Sequence, residues 1–273
     1  MVADGRLKGR VAVVTGGTGV LGSAIAIGAA EAGASVGVLG RNRERADLVV
    51  DAIRSAGGTA MVLIADVLHS DELKRARDCV EEEWGHVDIL INAAGGHVQA
   101  ALTTPERSFF EITEEALRAV IELNLMGTIL PSQIFGMSMA SATPGGSSAS
   151  IVNVSSMAAD RAITRVVGYG VAKAGVNNLT RWMASDLAGL ARPIRVNAIA
   201  PGFFIAETNQ TLLVNGDELT DRGKLIIERT PAGRFGRPGE LVGTALWLAS
   251  EDSAFVTGTV IPVDGGFSTF SGV

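Results

Sequence analysis

Seven short apolar runs, spaced along the whole chain and separated by helical stretches, constrain the fold more than any other feature. They are RVAVVT (10–15), SVGVLG (35–40), AMVLIAD (60–66), VDILINA (87–93), SIVNVSS (150–156), IRVNAIA (194–200) and TVIPVD (259–264). Each is continuously apolar rather than alternating, the pattern of a strand covered on both faces. Helical periodicity fills 20–33, 43–56, 70–84, 113–140, 169–190 and 239–250. This alternation predicts one α/β domain over 1–273: a doubly wound, seven-stranded parallel sheet with helices on both faces. The Gly/Ser-rich SATPGGSSAS (141–150) leads straight into a strand and reads as a surface loop. Residues 202–238 form the longest stretch without a strand and predict short helices over the carboxyl edge of the sheet. Such sheets bind their ligands there.

The bulk properties exclude several function classes. Hydrophobic residues make up 47% and charged residues 19%, a globular balance. A net charge of −6 argues against a nucleic-acid partner, which would want a basic face. Glu31 breaks the best candidate for a membrane span, and MVADGRLKGR lacks the apolar core of a signal peptide, so a soluble cytoplasmic protein is expected. Cys79 is the single cysteine, which leaves no disulfide framework; its expected role is that of a small buried hydrophobe. His69, His86 and His97 are dispersed without ligand spacing, so no metal site is expected.

The first strand runs into VVTGGTGVLGSA, where Gly17, Gly19 and Gly22 satisfy G-x-G-x-x-G at the opening of the first helix. This Rossmann-type turn needs glycines so that backbone can approach a pyrophosphate, and the helix N-terminus adds unpaired N–H groups and a positive dipole end. Gly16, Gly17, Thr18, Gly19, Val20 and Leu21 are therefore candidate cofactor residues. The second strand ends in Gly40, Arg41 and Asn42 with no carboxylate to hold a ribose 2′-hydroxyl. Arg41 is placed to meet a 2′-phosphate, which favours NADP(H) over NAD(H).

The sole tyrosine, Tyr169, precedes Lys173 by one helical turn. A lysine on the same helix face favours the phenolate, so the pair can hand a proton to a carbonyl oxygen or take one from an alcohol. With the glycine turn, Asp66–Val67, NAAG (92–95), Asn124 in ELNLMG, NVSS (153–156), Tyr169-x-x-x-Lys173 and APG (200–202), the chain resembles the short-chain dehydrogenase/reductases over about residues 8–266. That resemblance implies a catalytic set of Asn124, Ser156, Tyr169 and Lys173, with Ser155 the alternative serine. It also implies that Asp66, Val67, Asn92, Ala93, Ala94, Gly95, Tyr169, Lys173, Pro201, Gly202 and Phe204 surround the cofactor, and that the protein is a homotetramer whose helices 113–140 and 169–190 pair across a dyad. Two positions depart from the family pattern. Val20 stands where the turn usually has its middle glycine, and Ala206 stands where a threonine usually touches the nicotinamide amide, with Thr208 or a backbone group as substitutes.

Within the family, AGGH (94–97), SFFEIT (108–113), LNLMGTILPSQIF (123–135), APGFFIAETNQTLL (200–213) and RTPAGRFGRPGELVG (229–243) are most similar to the bacterial D-mannonate oxidoreductases, or fructuronate reductases. A sugar-acid substrate is what this implies. Its carboxylate requires a cation, and Arg161 and Arg165, between Ser156 and Tyr169, are the candidates. His97, Asn209 and Gln210 are further polar candidates. Another keto-sugar acid or a 3-oxoacyl thioester is the neighbouring alternative, and a non-catalytic dinucleotide-binding regulator the distant one.

Overall fold

The computed structural model describes residues 5–142, 147–206, 210–216 and 218–270. The strands are β1 (Val11–Thr15), β2 (Ser35–Gly40), β3 (Thr59–Ile64), β4 (Ile89–Asn92), β5 (Ala149–Val154), β6 (Ile194–Pro201), β7 (Val214–Asn215), β8 (Glu218–Leu219) and β9 (Val260–Val263). Among them run α1 (Val20–Glu31), α2 (Arg43–Ser55), α3 (Ser70–Trp84), α4 (Glu114–Ile121), α5 (Gly127–Ser141), α6 (Val167–Leu187), α7 (Gln210–Leu213), α8 (Asp221–Glu228) and α9 (Val242–Ala249). Seven strands form one parallel sheet in the order β3-β2-β1-β4-β5-β6-β9.

The continuous apolar runs follow from burial on both faces. Ala12 and Val14 of β1, with Val36 and Val38 of β2, pack beneath α1, α2 and α9. Val13 and Leu39, alternating with them, pack beneath α3, α5 and α6. Chain order reverses between β1 and β4, and this switch point opens a crevice at the carboxyl ends of the strands.

Three expectations need correction. The helix foreseen over 113–140 is broken by a π-turn at Glu122–Met126. Thr128 Oγ1 and Ser132 Oγ donate to the carbonyls of Asn124 (3.0 Å) and Thr128 (2.7 Å), tying the start of α5 internally. The region 202–238 carries, besides α7 and α8, the small antiparallel hairpin β7–β8. Cys79 is exposed, because it sits one residue, about 100° around the helix, from the buried stripe of Leu73, Ala76 and Val80 on α3.

At the amino ends of the strands Asp88 gathers cations. It accepts from Val11 N (2.8 Å), forms a buried ion pair with Arg192, and lies 3.6 Å from Arg10 Nε and 3.1 Å from His86 Nε2. Among the described residues no helix is long and apolar enough to cross a membrane.

Candidate active site

The turn between β1 and α1 is folded too tightly for side chains. A Cβ on Gly16, whose φ is 62°, would lie 2.7 Å from the Ala94 backbone, and one on Gly22 only 2.1 Å from the Gly16 carbonyl oxygen. The N-caps Asn42 of α2 and Thr220 of α8 accept from their own first turns. Gly19, at the head of α1, has no side-chain cap, so the first-turn N–H groups face the crevice. A backbone cradle of this shape fits a dinucleotide pyrophosphate. Thr18, Gly19, Val20 and Leu21 line the cleft with Ala93, Gly95, Pro201, Gly202 and Phe204.

The other cofactor candidates divide. Gly40 is pressed against the turn, since a Cβ there would meet Thr18 at 2.7 Å. Arg41 is exposed, 3.4 Å from Asp66, whose other carboxylate oxygen accepts Leu68 N at 2.9 Å. Gly17 donates to the Leu39 carbonyl (3.0 Å) and Ala94 to Thr15 Oγ1 (3.3 Å), while Val67 is buried under the sheet. Asn92 is a correction. It is buried, donates to Ser132 Oγ and Asn153 Oδ1 (2.9 Å each), and serves as a strut between β4, β5 and α5 rather than lining the cleft.

Of the catalytic candidates, Ser156, Tyr169 and Lys173 line the cleft, and Asn124 is buried behind it. Ser156 follows β5, and its Oγ accepts Ala158 N at 3.1 Å. Tyr169 and Lys173 share a face of α6, with Lys173 Nζ 5.6 Å from the phenol ring centre. Lys173 is buried, donates to the Val154 carbonyl at 2.8 Å, and burial lowers its pKa to about 8. Burial raises the Tyr169 phenol, and a hydrogen bond with Ser156 opposes that rise. Burial therefore outweighs the lowering expected from the nearby lysine. Ser155 donates from its Oγ to Asn177 Oδ1, which engages its hydroxyl proton. Asn124, held in the π-turn, accepts Gly96 N (3.0 Å) and donates to Gly96 O and Val120 O (2.8 Å each). It thereby clamps the segment after β4. A Cβ on Gly95 would lie 2.6 Å from Asn124 Oδ1, so position 95 favours glycine.

A family model described as "Enoyl-(Acyl carrier protein) reductase" matches residues 18–268. The uncharacterized oxidoreductase UxuB of Bacillus subtilis (strain 168) is 46% identical over 277 residues, 98% of each chain. The chain belongs to the short-chain dehydrogenase/reductase family. As such it is an NAD(P)-dependent oxidoreductase of CH–OH groups. A crystal structure described as a "putative D-Mannonate oxidoreductase" from Haemophilus influenza, with bound NAD, superposes with a TM-score of 0.90 at 39% identity, covering 98% of each chain. A gluconate 5-dehydrogenase from Burkholderia cenocepacia, in complex with NADP and tartrate, gives 0.85 at 31% identity, again covering 98% of each chain.

The mouth of this dehydrogenase's cleft differs from the sequence expectation. Arg161 is exposed and bonded to the Ser268 carbonyl, and neither it nor Arg165 lines the cleft. Chain proximity to the reacting centre misplaced both. The cations that do line it are Arg45, Lys173 and Arg222, the last from α8 and absent from the sequence reading. His97 lines the cleft, its ring centre 4.5 Å from that of Tyr169. Thr208 and Asn209 lie outside the described residues, and Gln210 opens α7.

Proposed function

We propose that this enzyme interconverts a keto-sugar acid and its hydroxy-sugar acid, D-fructuronate and D-mannonate, with NADP(H). One juxtaposition carries the reaction class: the Tyr169 phenol, bonded to Ser156 and beside the Lys173 ammonium, at the floor of a cavity of about 310 Å³. The sugar acid is supported by the likeness to the Haemophilus and Burkholderia structures. When bound, the nicotinamide supplies or accepts the hydride. Tyr169, kept protonated by burial, holds the proton destined for the carbonyl oxygen. Ser156 donates to the same oxygen and stabilises the charge developing on it. Lys173 would hold the nicotinamide ribose. For NADP(H), the support is Arg41 at the end of β2, with no carboxylate at 40–42, and Arg45 in the cleft. A 2′-phosphate would draw Arg41 away from Asp66. The working particle in this reading is a homotetramer, and Met137 of α5 with Val171 and Trp182 of α6 supports it as exposed apolar side chains on the helices that would pair.

The test is a panel of D-fructuronate, other keto-sugar acids and an acetoacetyl thioester, each with NADPH and NADH, on wild type, Tyr169→Phe and Arg41→Ala. D-fructuronate with NADPH should give the highest kcat/KM. Tyr169→Phe should lose roughly 10²–10⁴-fold in turnover with cofactor affinity retained. Arg41→Ala should raise the KM for NADPH far more than that for NADH. A wild type that prefers the thioester, or NADH, would overturn the substrate or the cofactor assignment respectively.

A further inference from the structure

Arg222, the second residue of α8, reaches across the cleft mouth to the loop before α6. Its Nη1 donates to Thr164 Oγ1 at 2.8 Å and its Nη2 to the Thr164 carbonyl at 3.2 Å. These two bonds leave three of the guanidinium's five N–H donors for other partners. The carbonyl that anchors it is aimed by an unusual backbone: Arg165, the next residue, holds φ at 76°, where non-glycine residues are rare. Its own carbonyl accepts Thr103 N at 3.1 Å, which fixes that conformation from the other side.

A second observation points into the same space. His97 Nδ1 is buried with no hydrogen-bond partner among the described residues, while the imidazole lies against the Tyr169 ring. A buried polar atom without a partner is costly, and the usual remedy is a ligand or a water. Burial, with the charges of Arg222 and Lys173, lowers the His97 pKa, so the ring is neutral and does not repel Arg222. Among the described residues, no carboxylate lines the cleft. The mouth therefore presents a half-buried guanidinium with spare donors and no counter-ion among the described residues, next to an unsatisfied imidazole and the catalytic phenol.

We propose that Arg222 binds the substrate's carboxylate, and that His97 Nδ1 binds an oxygen between that carboxylate and the reacting carbon. This rests on the sugar-acid reading and names the residue that enforces it. The guanidinium is pre-positioned by Thr164, so carboxylate binding need not order a long side chain. Arg161 and Arg165 take supporting places: one bonds the C-terminal segment, the other sets the turn that orients Thr164.

The experiment compares D-fructuronate with D-fructose, in which CH₂OH replaces the carboxylate, on wild type, Arg222→Gln, Arg222→Ala and Thr164→Val. Gln keeps a donor toward Thr164 and most of the volume while removing the charge, so it tests the proposal if Ala fails to fold. Wild type should favour the acid. Both Arg222 variants should lose roughly ten- to a hundredfold in kcat/KM for the acid, through KM, while fructose and the NADPH dissociation constant stay unchanged. Added guanidinium ion should restore part of the acid activity of Arg222→Ala, an effect that a purely structural role would not give. Thr164→Val, which keeps the carbonyl anchor, should change the acid KM only a few-fold. A wild type indifferent to the carboxylate would sink the sugar-acid reading itself. A wild type that discriminates, paired with Arg222 variants that discriminate equally, would overturn the assignment to Arg222 alone.

Discussion

Lys173 is an ammonium with only 3% of its surface exposed, at the floor of the cleft. Burial lowers its pKa from the ordinary 10.5 to about 8, so between those values the folded chain binds fewer protons than the unfolded one. Stability from this group therefore rises with pH across that window, and the full penalty is felt below about pH 8. At about 1.4 kcal/mol per pH unit the penalty is about 3 kcal/mol, against about 1 kcal/mol for the bond to Val154. Lys173→Met should abolish catalysis yet stabilise the cofactor-free protein by about 2 kcal/mol at pH 7, with the gain reversing above pH 10. Urea melts at pH 7, 9 and 10.5 check this, and a pH-independent difference would refute it. The tyrosine–lysine pair was legible because helical spacing alone brings both side chains to one face. Arg222 was not, since it meets Thr164 from 58 positions away in the chain and neither local pattern signals the contact. Arg161 and Arg165 misled for the converse reason: closeness in chain to Ser156 says nothing about which way a loop side chain points.

At the scale of elements, the strands were legible throughout. Two-sided burial writes itself into each run, and the seven expected strands appear within one or two residues of their places. The π-turn at 122–126 left no trace, because the apolar periodicity of α4 and α5 continues through it. Its effect is to rotate Asn124 inward, where one side chain makes three hydrogen bonds to Gly96 and Val120. Asn124→Ala should cost about 1–3 kcal/mol, and it should loosen the segment that carries Gly95 and His97. Amide exchange at Gly96 is the measurement. Protection unchanged from wild type would mean that the π-turn does not hold this loop. A lower affinity for NADPH should accompany the loosening, since Gly95 lines the cleft.

Across the whole molecule, the Asp88 cluster ties β1, the start of β4 and the segment entering β6 at the end of the sheet opposite the cleft. Burial alone would raise this carboxyl; the Val11 N–H, Arg192 and Arg10 overcome that and lower it. A lowered carboxyl contributes stability that is complete well above its unfolded value of 3.8 and is lost as the pH falls through the folded value. Asp88→Asn strands two cations, and breaking such a buried pair costs about 3–5 kcal/mol. The variant should melt lower at pH 7, and its stability should decline less steeply toward pH 3 than that of wild type. Parallel acid limbs in thermal denaturation would count against the cluster. Placing this anchor far from the mouth also has a bearing on adaptation. Lineages or libraries that vary α8 and the loop before α6 can trade one acceptor for another without drawing on the framework's reserve, so catalytic novelty here should arise in many small, independently tolerated steps.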